Sequence, residues 1–194
     1  MKIVNNEAFT LLETLVALAV ILAALGGPVT LVTRGIFGSS FSKNRLIAAN
    51  LAEEGVELIR LIREQNVMCA IKGGSGTKWD TDFDGTGTLT SAGPKTIDAV
   101  DMFTRSCVSG VTVKNPRRGG NCGTTGLRID AAGRYNHVSG APTIFTRCVD
   151  VVRPVADEGS IPKQDIMEVI SRVEWNEKGT PRNFEVRERL YNWK

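Results

Sequence analysis

The sequence predicts an α+β protein: one long N-terminal helix, transmembrane and then amphipathic, followed by a C-terminal head built on an antiparallel β-sheet. Three observations predict it. A nearly uncharged apolar run occupies residues 9–33, an amphipathic run with helical spacing follows to residue 66, and strand-like alternation with turn residues dominates from 127 onward. At 194 residues the chain suits one modest domain with an appendage and is short for two independent globular units. The expected parts are a short polar leader (1–8), a long helix (9–66, with 9–33 as its transmembrane part) and a globular head (67–194). Hydrophobic residues make up 42% and charged residues 23%, ordinary values, so the class rests on how they are distributed. A net charge of +3 with both signs interspersed gives no electrostatic footprint for nucleic acid.

The apolar run reads FTLLETLVALAVILAALGGPVTLVT, with Glu13 as its sole charged residue. A helix rising ~1.5 Å per residue needs about 20 residues to cross a bilayer core, so the run is long enough. Gly26, Gly27 and Pro28 interrupt it, and because proline lacks the backbone donor and crowds the preceding turn, a kink or opened turn is expected there. A secretory signal peptide fits poorly, since the leader MKIVNNEA sets Lys2 against Glu7 and Glu13 intrudes on the apolar stretch. A plain membrane anchor explains the length but not the carboxylate, which costs roughly 2.5 to 3.5 kcal/mol at mid-membrane and less near the end. A buried helix of a soluble enzyme requires a satisfied neighbour for Glu13, and a lipoprotein signal requires a cysteine that is absent here.

The run continues as KNRLIAANLAEEGVELIRLIREQN, which places Ala48, Leu51, Ala52, Gly55, Leu58, Ile59 and Ile62 on one helical face. Glu53, Glu57, Arg60 and Glu64 fall opposite, offering Glu57–Arg60 and Arg60–Glu64 as surface pairs worth a few tenths of a kcal/mol each. An apolar span running straight into an amphipathic one describes a helix whose second half carries a head.

Residues 67 to about 126 are rich in Gly, Ser, Thr and Asp and read as a loop-dominated connection with short strands at most. Strand signals begin at Leu127–Ala131, turn at Gly133, and resume as the alternation of Thr143–Val152. Met167–Trp175 and Asn183–Tyr191 flank Asn176–Thr180 as a hairpin with Gly179 at positive φ. In it Val169, Val173 and Trp175 meet Phe184, Val186 and Leu190 in one core layer.

Cys69, Cys107, Cys122 and Cys148 are widely spaced, whereas a structural zinc site opens with two cysteines about two to four residues apart. Two disulfides in an oxidising compartment are expected, with three pairings open; four buried thiols are the alternative. Asp80, Asp82, Asp84 and Gly85 have the opening spacing of an EF-hand calcium loop, but Ser91 stands where the bidentate glutamate belongs and no amphipathic helices flank it. Calcium is therefore weighed against a hydrogen-bonded Asx turn beneath Trp79. His137 is the only histidine, and no G-x-S-x-G elbow accompanies it. Gly73-Gly74-Ser75-Gly76 lacks the residues of a phosphate loop, and Lys114, Arg117 and Arg118 beside Pro116 read as a solvated loop that could touch a polyanion.

The junction itself carries a resemblance. A short polar leader and a small residue, then Ala8-Phe9-Thr10-Leu11-Leu12-Glu13 running into an apolar helix, resembles the processing signal of type IV prepilins and pseudopilins. The stretch Leu51–Arg60 and the closing run Arg187–Lys194 resemble, less specifically, the second helix half and terminal strand of such subunits. The resemblance implies cleavage between Ala8 and Phe9 by a prepilin peptidase on the cytoplasmic side, then N-methylation of Phe9. It implies that Glu13 pairs with the new N-terminal amine of a neighbouring subunit, and that residues 9–33 pass from inner membrane to filament core. The implied partners are other pilin subunits, the peptidase and the inner-membrane assembly machinery, with nucleic acid only if the pilus takes up DNA. No enzymatic activity and no cofactor other than the weighed calcium is expected, and the loop-rich head inclines the reading toward a minor pilin. The sequence departs from the family in having Ala8 for glycine, a weakly basic leader, with Arg34, Lys43 and Arg45 after the apolar run, and a helix break at Gly26-Gly27-Pro28, which lies in the stretch that subunits of this family often unwind and so favours the resemblance over a plain anchor. Its last cysteine, Cys148, also stands well before the C-terminal region that a disulfide brackets in many pilins. The alternative from another class is a single-pass, membrane-anchored extracellular binding domain that does not polymerise; a third is a secreted hydrolase or binding protein that discards its first 25 or so residues.

Overall fold

The computed structural model describes residues 10–72, 78–81, 94–106, 112–123 and 125–192. One helix, α1 (Leu11–Ile71), is followed by strands β1 (Lys95–Ser106), β2 (Thr112–Asn121), β3 (Arg128–Ile129), β4 (Tyr135–Asn136), β5 (Ala141–Pro142), β6 (Phe145–Val152), β7 (Ile166–Glu177) and β8 (Thr180–Tyr191). The chain divides after Asn44 into two units. The α+β class is thus present as one long N-terminal helix and antiparallel sheets.

In the first unit the described residues after Thr10 form helix alone, and every one from Thr10 to Ile36 is exposed. This is the one stretch, among the described residues, long and apolar enough to cross a membrane. The break expected at Gly26, Gly27 and Pro28 does not interrupt it: α1 is continuous with Pro28 inside. Proline removes a single donor, and the helical bonds on either side hold the turn. Thr30 Oγ1 donates to Gly27 O at 2.7 Å and Thr33 Oγ1 to Val29 O at 2.9 Å, so nearby carbonyls gain side-chain donors.

In the second unit the amphipathic half of α1 lies on a five-stranded antiparallel sheet of order β2-β1-β6-β7-β8, and β4-β3-β5 form a small second sheet. Strand alternation decides which face is covered: along β6, Phe145, Arg147, Val149 and Val151 are buried while the residues between them are half-exposed. Val56, Leu58, Ile59 and Ile62 of α1 pack with Ile97, Val149, Val151, Met167, Val169 and Leu190. Ala48, Leu51 and Ala52 pack with Leu127, Phe145, Val173 and Trp175. Each fully buried aliphatic side chain contributes about 1.5–3 kcal/mol, so these clusters hold the head together.

The β7–β8 hairpin forms in the expected layer, with Val173 opposite Phe184 and Met167 opposite Leu190. Its loop is tighter than the sequence suggested: both strands extend until only Lys178 (φ 51°) and Gly179 (φ 84°) remain, a two-residue turn with both φ positive. Asn176 Oδ1 accepts the Gly179 N–H at 2.7 Å and closes it.

The expectation of loops through residue 126 is corrected. β1 and β2 are 12 and 10 residues long and pair with each other. Pro116 and two glycines disguise β2, yet β2 is the sheet's edge strand, where a missing N–H breaks no ladder. The register shifts between Asp98 and Phe103, which lie opposite Arg117 and Asn115, so the irregularity falls at Pro116. Lys114, Arg117 and Arg118 therefore belong to a strand and not to a loop.

Candidate functional site

Ala8 and Phe9 lie outside the described residues. Glu13 does not, and its surroundings follow from the helix start. Thr10 is the N-cap: its Oγ1 accepts the Glu13 N–H at 3.3 Å and its carbonyl accepts the same N–H at 3.0 Å. Thr10-Leu11-Leu12-Glu13 has the spacing of a capping box, a signal that sequence reading can find and that places Glu13 in the first turn. There the helix dipole favours a carboxylate. The Glu13 side chain is exposed and meets no ion-pair partner among the described residues. The arrangement therefore presents an acid and, directly after it, an apolar helix whose residues are exposed as far as Ile36 among those described.

The head contains a buried polar network that sequence reading missed. Arg147 points from β6 toward α1 and is fully buried. Its Nη1 donates to Leu51 O at 3.3 Å and to Glu54 Oε2 at 2.8 Å, and its Nη2 donates to Ile97 O at 2.6 Å and stands 3.7 Å from Asp98 Oδ1. Asp98 in turn accepts the backbone N–H of His137 at 3.1 Å and lies 2.8 Å from His137 Nδ1. The Asp98 and His137 side chains are only 6% and 5% exposed. One guanidinium thus ties α1, β1 and β6, while Asp98 ties in the segment after β4. His137 Nε2 is buried without a partner among the described residues.

Two further clamps hold the head. Arg60 pairs with Glu57, as expected, but its other arm reaches Glu188 of β8 instead of Glu64. The hydrogen bond to Glu188 raises the Arg60 pKa above its ordinary value. Arg63 Nη2 donates to Tyr191 O at 2.9 Å, and burial lowers the Arg63 pKa.

Cys122 and Cys148 form a disulfide with Cα atoms 5.6 Å apart. β1 meets β6 through one ladder pair, Lys95 with Val149, so this bond staples the β1–β2 hairpin to the central strand. Cys69 is buried and also disulfide-bonded, no described cysteine is free, and Cys107 lies outside the described residues.

The calcium set is not assembled among the described residues. Asp80 is buried with its Oδ2 on Arg153, a cation that competes with any metal, while Asp82 and Asp84 lie outside the described residues. No group of three candidate ligands comes together among those described. Around Asp80 the chain makes a turn instead: Thr81 N donates to Lys78 O at 3.0 Å, Asn66 Nδ2 donates to Thr81 O at 2.8 Å, and Arg153 lies over the Trp79 ring. No family model, no curated protein and no solved structure matches the chain.

Proposed function

We propose that this chain is a structural subunit, of the minor-pilin kind, of a type IV pilus or a type II secretion-like pseudopilus. The observation that carries the reading is the sequence junction Ala8-Phe9-Thr10-Leu11-Leu12-Glu13, followed by an apolar helix whose residues from Leu11 to Ile36 are exposed. The helix half after Asn44 supports it by carrying an antiparallel sheet, and the disulfide supports export to an oxidising compartment. On this reading the peptidase cuts before Phe9, the new amine is methylated, and the subunit waits in the inner membrane with its leader cytoplasmic. Assembly moves the helix from lipid to the like helices of its neighbours. Both surroundings are apolar, so packing and the pairing of Glu13, not hydrophobic burial, drive the exchange. The unpartnered carboxylate then finds the neighbour's terminal amine in a low-dielectric bundle, where opposite charges attract far more than in water and axial register is fixed. The subunit's role is structural and not catalytic.

Mass spectrometry of the mature N-terminus from producing cells tests this. A methylated Phe9 is expected. An intact Met1 would instead identify a membrane-anchored binding domain, and a start near residue 25 a secreted protein.

A further inference from the structure

The sheet face turned away from α1 is a ladder of charges in which carboxylates have cations. Arg172 Nη2 lies 2.7 Å and Arg187 Nε 2.6 Å from Glu185, Arg187 Nη1 lies 3.8 Å from Glu168, and Arg172 Nη1 lies 3.9 Å from Glu174. Asp150 of β6 departs from the pattern: among the described residues no donor reaches its carboxylate. Directly across the ladder from it stands Ile170, the one apolar residue on that face of β7 between Glu168 and Glu174. Ile170, Pro94 and the Cys122–Cys148 disulfide supply the apolar lining of a half-open hollow of about 290 Å³, and Asp150, Arg172 and Glu174 supply its polar lining. Arg172 is already held by Glu185, so the charge left over in the hollow is negative.

We propose that this hollow is a socket for one basic side chain, arginine or lysine, presented by a partner protein. The hydrocarbon stem of such a residue covers Ile170 and the disulfide while its cation meets Asp150; long basic side chains bind in this split manner, stem on apolar surface and head on a polar group. Charge and shape together select this occupant. An anion meets two carboxylates, a neutral apolar group leaves Asp150 unpaired as water is displaced, and a bare metal ion gains nothing from the apolar lining. The volume lies at the lower limit of small-molecule sites and suits a side chain better than an organic cofactor. The inference does not depend on processing at Phe9 or on filament formation.

The test uses the full chain in detergent with ¹³C-labelled isoleucine methyls, titrated with Nα-acetyl-arginine methylamide. The Ile170 methyl is expected to shift saturably while the buried Ile59, Ile62 and Ile97 methyls stay in place. The neutral norleucine analogue and the Asp150→Asn variant should each weaken the response by at least about fivefold, the factor that one exposed ion pair of about 1 kcal/mol supplies. Unmoved core methyls in Asp150→Asn show that the variant is folded. Absence of a saturable shift, an equal response to norleucine, or an unchanged response in Asp150→Asn each overturns the socket.

Discussion

Gly55 of α1 lies so close to Ser171 of β7 that a Cβ added at Gly55 would stand 2.3 Å from Ser171 Oγ and 3.0 Å from Val149 Cγ2. Here the helix comes down on the sheet, between the two core clusters. Alanine at this position gains up to about 1 kcal/mol of helix propensity but overpacks the contact by about 1–3 kcal/mol. Gly55→Ala should therefore lower the thermal midpoint, by a net of about 1 kcal/mol. Ser171 Oγ is buried without a partner among the described residues, so Ser171→Ala alone should be neutral or slightly stabilising and should recover part of the loss in the double variant. Circular dichroism melts of the four proteins check this; additive losses would mean that the two residues do not collide.

Arg147 is the single cation shared by Glu54, Asp98 and two carbonyls. Methionine keeps much of the packing but takes the cation from Asp98 and Glu54 and a donor from the buried Leu51 and Ile97 carbonyls, leaving Asp98 only its His137 contacts. Arg147→Met should cost about 3–5 kcal/mol in urea unfolding. Glu54→Gln should cost less, because the Glu54 side chain is 36% exposed and its partner keeps Asp98 and both carbonyls. A loss for Glu54→Gln equal to that for Arg147→Met would contradict the ranking.

How much of this was legible depends on whether the signal is local. The amphipathic face of α1 and the β7–β8 layer are periodic patterns, and periodicity reads directly into structure, so Leu51, Ile59, Val173 and Phe184 fall where expected. β2 was not legible, because its proline and glycines are turn residues everywhere except at a sheet edge, and edge position is a property of the assembled sheet. The polar network was hidden for a similar reason. Arg147 sits in an alternating strand at a position that pattern alone assigns to the core, and its partners Glu54, Ile97 and Asp98 are 49 or more residues away in sequence. At the candidate site, Glu13 could be read from its intrusion into an apolar run, whereas Asp150 and Ile170 come together only through the register of β6 with β7.

Glu185 offers a pH-dependent readout. Hydrogen bonds from Arg172 first, and Arg187 second, hold its carboxyl below the usual carboxylate range. With the folded pKa below the unfolded one, the stabilisation is present at neutral pH and disappears as pH falls from the unfolded value through the depressed folded value. Because the group is near solvent, the amount is under about 1 kcal/mol. The ¹³C carboxyl titration of Glu185 should have its midpoint below that of an unperturbed glutamate, and Glu185→Gln should flatten the acid limb of the stability curve. A midpoint at or above the ordinary value would show that the arginine pairs seen here do not persist in solution.

Glu13 is where the proposed assembly can be broken without touching the head. Its side chain is exposed and has no ion-pair partner among the described residues, so neither Glu13→Ala nor Glu13→Gln should change the melting of the sheet. Nor should they stop cleavage before Phe9, since the Ala8-Phe9 junction is intact. On the proposed assembly, what they remove is the charge that makes one axial position of a neighbouring helix better than the next. Glutamine is the sharper variant, because it keeps size and hydrogen bonding and loses only the charge. If the ion pair is worth even about 1.4 kcal/mol in the assembled bundle, filament yield should fall at least about tenfold, with processed subunit accumulating in the membrane. Sheared-filament yield, measured beside the membrane-retained fraction, decides the matter: Glu13→Gln filaments at normal yield would mean that the lone acid of the apolar run serves something other than subunit register.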